Sequence, residues 1–457
     1  MTRKYGPRTV VAGLLILISS QSCHAQGNQG PGGAPGGILI NPGGLVSAAP
    51  THEIISPALL KRLRRSANSA NDDGIADVQQ RVISLRQLDL ELQQTLQSGV
   101  SPNTQLRCLG GLTRIEMVVL AGNQDDILFV GPAETVVRLP TGRMVGAQTG
   151  RPCLLLDDLL TAFRNPEILQ RAGCSIDPDP QRLQQSQQWI RANTTPATVQ
   201  VQTSRLRQMI RIMGYWDVSV FGVPANSRIA VAMVEADYRM KRLAIGLDNP
   251  GVRRLKSSLA LARPGDNMMR RWWFAAAENL LQSNASGDAW VISGPRLRLL
   301  AQEEITGPNG QLMDAPNVTG SGDRFARSFN DCFEELTERI PAFADLQNTV
   351  DILLLAAIVR SLQDSQTLVW QPVVLENSAV LPAATYSVPR NTVPMLTTRS
   401  GPGGSLIGCF SGGVLVDAEH IVAGASDTLD AMTSTAEKIR EIAAGSDPGW
   451  FRDGVLQ

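Results

Sequence analysis

The chain has 457 residues, is 43% hydrophobic, and balances 42 acidic against 42 basic side chains. That length and apolarity build one large core or two, and the charge parity excludes a global positive field of the kind that gathers nucleic acid. The three histidines, His24, His52 and His420, are too few for multi-histidine zinc sites.

The first 25 residues have the layout of an export signal: Arg3, Lys4 and Arg8, an apolar run over residues 10–18, then small and polar residues ending at Cys23-His24-Ala25. The run is too short to span a bilayer core, which takes ~20 residues of helix. It reads as a signal peptide cleaved after Ala25, which makes the protein exported, periplasmic or extracellular. Lipidation at Cys23 is the second choice, because Ser20-Gln21-Ser22 poorly matches the residues that precede a lipidated cysteine. Cleavage removes three basic residues and leaves the mature chain three charges negative.

Residues 26–50 hold eight glycines and four prolines and no charged side chain. Such a composition cannot bury enough surface to offset its conformational entropy, so residues 26–56 are expected to form a flexible tether. Over residues 57–98 the spacing is helical. Leu59, Leu60 and Leu63 precede a polar break at residues 68–74, after which Val78, Val82, Leu85, Leu88 and Leu92 follow. This predicts a helical arm, with self-assembly through that stripe as its alternative use.

The period then changes. Residues 112–121 and 127–130, around the turn Gly122-Asn123-Gln124-Asp125, predict a β-hairpin, and residues 136–139 and 144–147, around Pro140-Thr141-Gly142, predict a second. Helices are expected over 154–163, 180–192, 205–213, 236–247 and 252–262, and strands at 199–202, 216–223, 229–234, 271–276, 290–292 and 297–301, with 271–276 and 290–292 as neighbours. A polar loop at 307–322 leads to an αα-hairpin, helices 324–339 and 342–362 with Pro341 in the first turn of the second. Its apolar run, 350–359, is too short and too charged to cross a membrane and reads as buried. The remainder adds strands at 405–410 and 414–416 and an amphipathic helix at 427–443. This order argues for an α+β fold of mainly antiparallel sheets covered by helices. The core domain takes residues 104–305, flanked by the helical arm (57–98), a helical hairpin (321–366) and a C-terminal segment packed on the core (367–457).

After cleavage the cysteines are Cys108, Cys153, Cys174, Cys332 and Cys409, with no C-x-x-C pair. An oxidising compartment permits disulfides, Cys153 with Cys174 being the most local, yet an odd number leaves one thiol over, and buried free cysteines are the simpler reading. The sequence holds no H-E-x-x-H, Walker loop, G-x-S-x-G elbow or strand-following G-x-G-x-x-G, so neither cofactor nor metal is expected. The one arrangement of nucleophilic type is Gly408-Cys409-Phe410-Ser411-Gly412-Gly413 with His420 beyond it. A thiol or hydroxyl at such a turn would have backbone N–H groups for an oxyanion and an imidazole for its proton; glycines at a turn between two strands explain the same residues without chemistry. The adjacent acids Asp125-Asp126, Asp157-Asp158 and Glu303-Glu304 diverge on any helix or strand and make no ready acid–base dyad.

Residues 238–273 carry Arg239, Lys241, Arg242, Arg253, Arg254, Lys256, Arg263, Arg270 and Arg271 against Asp248 and Asp266, and end in Trp272-Trp273. Basic groups beside aromatic rings suit an anionic or glycan polymer. The competing reading has the arginines solvate helix faces while one tryptophan fills the core.

Several blocks in order resemble an uncharacterised family of large exported proteins found mainly in planctomycete-type bacteria. They are Val130-Gly131-Pro132-Ala133-Glu134, residues 150–160 (GRPCLLLDDLL), Cys174-Ser175-Ile176-Asp177-Pro178, residues 236–242 (ADYRMKR) and Arg271-Trp272-Trp273-Phe274. The resemblance spans about residues 105–305 and implies an exported location and one continuous domain; the family has no known function, so no activity or catalytic residue comes with it. The expectation is therefore an exported, non-enzymatic structural or binding protein of the cell envelope. Its partner would be an envelope polymer or another envelope protein, not nucleic acid, and a hydrolase using Cys409 or Ser411 with His420 is the alternative.

Overall fold

A long helix, Pro341–Asp364, buried from Pro341 to Val359, has shorter helices packed around it. The computed structural model describes residues 36–49, 53–69, 75–193, 195, 198–263, 269–306, 312–314, 320–401, 404–427, 431–445 and 449–454. The expected signal peptide, residues 26–35 of the expected tether and most of the 307–322 loop lie outside the described residues.

The larger sheet runs, from one edge, Ile38–Ile40, Leu45–Ala48, Asn391–Thr392, Trp216–Phe221, Ala172–Asp177, Gly404–Val416, Met269–Ala276, Leu297–Thr306 and Leu312–Asp314, with Leu396–Gly401 also paired to Gly404–Val416. The smaller runs Ser426–Asp427, Leu281–Ser283, Ala289–Ile292, Met117–Leu120, Ile127–Ala133, Val78–Ser84 and Phe451–Gly454. Pairing is mostly antiparallel; Met269–Ala276 beside Gly404–Val416, Asn391–Thr392 beside Leu45–Ala48 and Leu281–Ser283 beside Ser426–Asp427 are parallel. The fold is α+β. Both expected hairpins form, Met117↔Val130 to Leu120↔Ile127 and Val136↔Gly146 to Arg138↔Met144.

The N-terminal expectations need correction. Residues 36–49 are no tether: Ile38–Ile40 and Leu45–Ala48 form a hairpin on the sheet, with Ile38 and Val46 buried. The Pro and Gly residues there are turn chemistry, since Gly44 sits at φ 84° and its N–H donates to Asn41 O at 2.8 Å. Nor is 57–98 a helical arm. Pro57–Ser69 and Leu85–Gln97 are helices, but Val78–Ser84 is a strand between Ile127–Ala133 and Phe451–Gly454. Val82 and Ile83 are adjacent and both buried, in different clusters, which a strand allows because it has two faces. Leu85, Leu88 and Leu92 are spent on the chain's own core, so the stripe offers no face to a second copy.

Where burial is complete, the periodicity that separates helix from strand is erased. Residues 229–234 belong to the helix Arg228–Ala244, capped by Ser227, in which every side chain but Arg242 is buried. Residues 199–202 open the helix Val199–Met213 under a Thr198 cap. Strand Met269–Ala276 lies between Leu297–Thr306 and Gly404–Val416, whereas Ala289–Ile292 joins the smaller sheet. The two short strands expected at 405–416 are one strand, Gly404–Val416. The helix expected at 252–262 is one turn, Ser258–Leu261, and 324–339 divides into Gly320–Asn330 and Phe333–Arg339.

Pro341–Asp364 is the one described helix long and apolar enough to cross a membrane, and its apolar window is wholly buried in the protein. The irregular chain that follows it is clasped by two charges. Asp89 accepts the N–H groups of Val373, Val374 and Leu375 at 2.7–2.9 Å, while Arg164 donates to the carbonyls of Val374, Leu375 and Leu381 at 2.7–2.9 Å.

Hydrogen exchange separates a hairpin from a tether. The paired amides of residues 38–48 should be protected well beyond the rate of a free chain, and Val46→Asp should cost roughly 3 kcal/mol or more by burying an unpaired charge; full exchange of these amides within seconds would contradict the hairpin.

Candidate functional site

The densest chemistry lies inside the molecule. Arg143, in the turn between Val136–Arg138 and Met144–Gly146, donates Nε to Glu53 (2.8 Å) and Nη2 to Glu235 (2.7 Å), and Nη1 pairs with Asp345. Arg228 donates Nη1 to the same Asp345 (2.9 Å) and Nε to Asp158 (2.8 Å). Glu235 also accepts the N–H of Gly37 at 2.7 Å. All six side chains are buried. Four carboxylates thus face two guanidiniums, and the surplus shows in their proton affinities. Burial lifts Asp158 to about 6 despite Arg228, and burial lifts Glu235 against the pull of Arg143. Asp345 alone is lowered: burial works against ionisation there, but two arginines outweigh it. A sealed network of this kind acts as a clasp. Sequence reading missed it; the available signal was charge inside an otherwise apolar run, Asp351 among Val350, Ile352 and Leu353 and Glu235 after residues 229–234.

The basic segment singled out by composition divides. Arg239 and Arg242 pair with Asp248 at 2.9 and 2.8 Å, and the buried Lys241 pairs with Asp237 and donates to Gly412 O at 3.0 Å. Burial also lifts Asp237 to about 6. Trp272 points inward onto Phe325, ring centroids 5.0 Å apart. Arg239, Lys241 and Trp272 are therefore part of the interior and do not form the exposed polymer-binding surface expected of them. Arg253, Arg254, Lys256 and Arg263 are exposed on the loop beyond, and the Arg270 side chain lies outside the described ones.

Arg271 and Trp273 are different, because the strand turns alternate residues to opposite faces. Trp272 and Phe274 go inward; Arg271, Trp273 and Ala275 go outward. Register extends this outer face across five strands. Trp273 lies opposite Leu300 on one side and Gly413 on the other, Gly413 opposite Ser175, and Ser175 opposite Ser219. Arg271 stacks on the Trp273 ring, 5.0 Å from its centroid, and reaches Asp177 at 3.5 Å across the intervening strand. Phe221 closes the next row over Gly173 with Arg171 above it, 5.1 Å from the ring centroid.

That geometry also places the nucleophile candidates. Ser411 is buried, beside Arg271 in register and beneath its reach to Asp177. His420 is exposed on the helix Ala418–Ala423, past the end of the strand at Val416, and that helix packs against Glu167–Gln170 and Pro341–Asp364. From Ser411 to Val416 is about 17 Å of extended chain, and the described hydrogen bonds at His420 are backbone ones, its N–H to Asp417 (2.8 Å) and its carbonyl accepting from Gly424 (3.0 Å). The Cys409 side chain lies outside the described ones. The structure does not bring Ser411 and His420 together. Among the described residues no cluster of His, Cys, Asp and Glu is suited to a metal ion.

Two outcomes test the clasp. Asp345→Ala removes the one carboxylate that two buried arginines share and should cost about 3–5 kcal/mol in chemical denaturation. An acid whose folded pKa is raised gives stability that is complete below its unfolded pKa, near 3.8, and lost as pH rises through its folded value, about 6 for Asp158 and Asp237. The melting temperature should therefore fall between about pH 4 and pH 7 and level off above that, and Asp158→Asn, which leaves Arg228 with Asp345, should flatten that fall; an unchanged slope would refute the assignment.

A family profile described as "Protein of unknown function (DUF1598)" matches residues 174–257. No curated protein and no solved structure matches the chain. The matched stretch includes Arg228, Glu235 and Lys241 of the interior and Ser175, Asp177, Ser219 and Phe221 of the outer face.

Proposed function

We propose that the chain is an exported, non-enzymatic binding protein of the cell envelope that holds a glycan strand on the outer face of its larger sheet. The observation that carries this reading is Trp273, a partly exposed indole on a rigid central strand, with Arg271 stacked against it and Gly413 and Ser175 beside it in the row. An aromatic plane gives a sugar ring an apolar contact at little entropic cost. Ser219, Asp177, Asp217 and Arg271 supply hydrogen-bonding groups along the same face, and Leu300 and Leu415 add exposed apolar area. Arginines 171, 271 and 298 are offset by the two aspartates, so the face has no strong sign, which favours a hydrogen-bonding sugar polymer over a polyanion. Export rests on the layout of the first 25 residues and on the resemblance to exported proteins. The non-enzymatic reading is supported by the separation of Ser411 from His420.

Retention of the purified mature protein on insoluble envelope glycans at low salt tests the reading. Trp273→Ala should weaken retention about tenfold or more without lowering the melting temperature, because the ring is no part of the buried core. Wild-type protein that washes through every glycan fraction, or a variant that binds as tightly as wild type, would end it.

A further inference from the structure

Cys108 and Cys153, distant in sequence, meet in a closed apolar nest. Cys108 follows the short helix Thr104–Arg107, and its carbonyl accepts the N–H of Gly111 at 2.8 Å as the chain turns through Leu109, Gly110 and Gly111 at φ 44°, 64° and 81°. The turn delivers Leu112, whose carbonyl accepts the N–H of Leu154 at 2.7 Å. On that facing segment Cys153 N–H donates to Met144 O at 3.1 Å, and Pro152 O accepts from Asn348 Nδ2 at 2.9 Å. The bond between Leu154 and Leu112 thus holds the two cysteine segments side by side. Their side chains share one small buried cluster with Ile75 and Val136, close enough for Cys108 to bear on the proton affinity of the Cys153 thiol. Cys174 and Cys332 are buried separately in the main core.

We propose that Cys108 and Cys153 are the oxidation site of this chain and close to a disulfide when it folds in the presence of a disulfide oxidant. The thiolate of one cysteine attacks a sulfur of the oxidant, forming a mixed disulfide and releasing one oxidant thiolate. The second cysteine, losing its proton to solvent, then displaces the remaining oxidant thiolate, so two electrons pass to the oxidant and one S–S bond replaces two S–H bonds. The pairing differs from Cys153 with Cys174, the most local choice in sequence, because Cys174 lies on the inner face of the larger sheet. The hydrogen bond to Cys108 and then burial push the Cys153 thiol well above its ordinary range, so exchange belongs to the folding chain, before the nest closes. The proposal rests on no part of the glycan reading.

The test is refolding of the reduced mature chain in a buffer of reduced and oxidised glutathione, acid quenching, alkylation in denaturant and peptide mapping without reductant. The expected result is a Cys108–Cys153 peptide pair lighter than its two thiol forms by two hydrogens, with Cys174 and Cys332 alkylated, and the same pair in Cys174→Ser. Reduction should then lower the melting temperature by several degrees. Alkylation of both Cys108 and Cys153, or a predominant Cys153–Cys174 peptide, would overturn the proposal, and because wild-type protein decides it, no variant needs to fold.

Discussion

The carboxylate of Asp345 is buried in the interior, and it stays ionised because Arg143 and Arg228 both reach it. Removing a charge from water costs several kcal/mol per ion, a cost repaid only when every partner is in place. Each arginine in turn binds further carboxylates, Glu53 and Glu235 for Arg143 and Asp158 for Arg228. The chain before Pro57, the second hairpin, the helix Leu156–Arg164 and the helix Arg228–Ala244 are therefore conditional on one another through a single oxygen pair. Gly37, bonded to Glu235, extends that condition to the N-terminal hairpin, and so a glycine-rich stretch is ordered here.

The rest of the helix Pro341–Asp364 follows the same division. Its first half spends polar side chains on other segments: Gln347 on Arg151 and Pro295, Asn348 on Pro152, and Asp351 on Arg296 and the N–H of Ile115. Its second half, from Ile352 to Val359, is apolar and buried. The polar half sets which segments may approach and at what register, since a mispaired buried charge is costly; the apolar half supplies non-directional burial. An all-apolar helix would bury as much area and specify less.

How much of this was legible follows from which signals are local. The two hairpins were readable because turn residues and alternation lie within a dozen positions of each other. The αα character of 324–362 was readable for the same reason. The strand Val78–Ser84 was not, because Val78, Val82 and Leu85 fit a helical period and only the burial of neighbouring Val82 and Ile83 in different clusters decides the matter. Residues 229–234 failed in the opposite direction, a β-branched run in a helix that no solvent touches. Of the basic segment, charge composition was visible and the partners were not: Asp248 lies within the segment, but the pairing of Lys241 with Asp237 and Gly412 needs the third dimension. For Arg271 and Trp273 the alternation of a strand was enough to separate an inward from an outward tryptophan, had the strand's two neighbours been known.

The separation of those two tryptophans bears on where a binding face can sit. On the strand Met269–Ala276 the inward residues are committed, Trp272 to Phe325 and Phe274 to Phe329, Phe333 and Phe343. Gly412 is committed as well, since at φ 107° an added Cβ would strike the Trp272 carbonyl. None of these positions can vary without disturbing the core. The outward-facing Trp273, Leu300, Ser219 and Leu415 are no part of the buried core, so core packing does not fix their identity. A surface held rigid by its inner face and unconstrained on its outer one is where ligand recognition can change while the fold stays put, and residues 174–257, which contribute to both faces, belong to that arrangement only together with the segments that complete it.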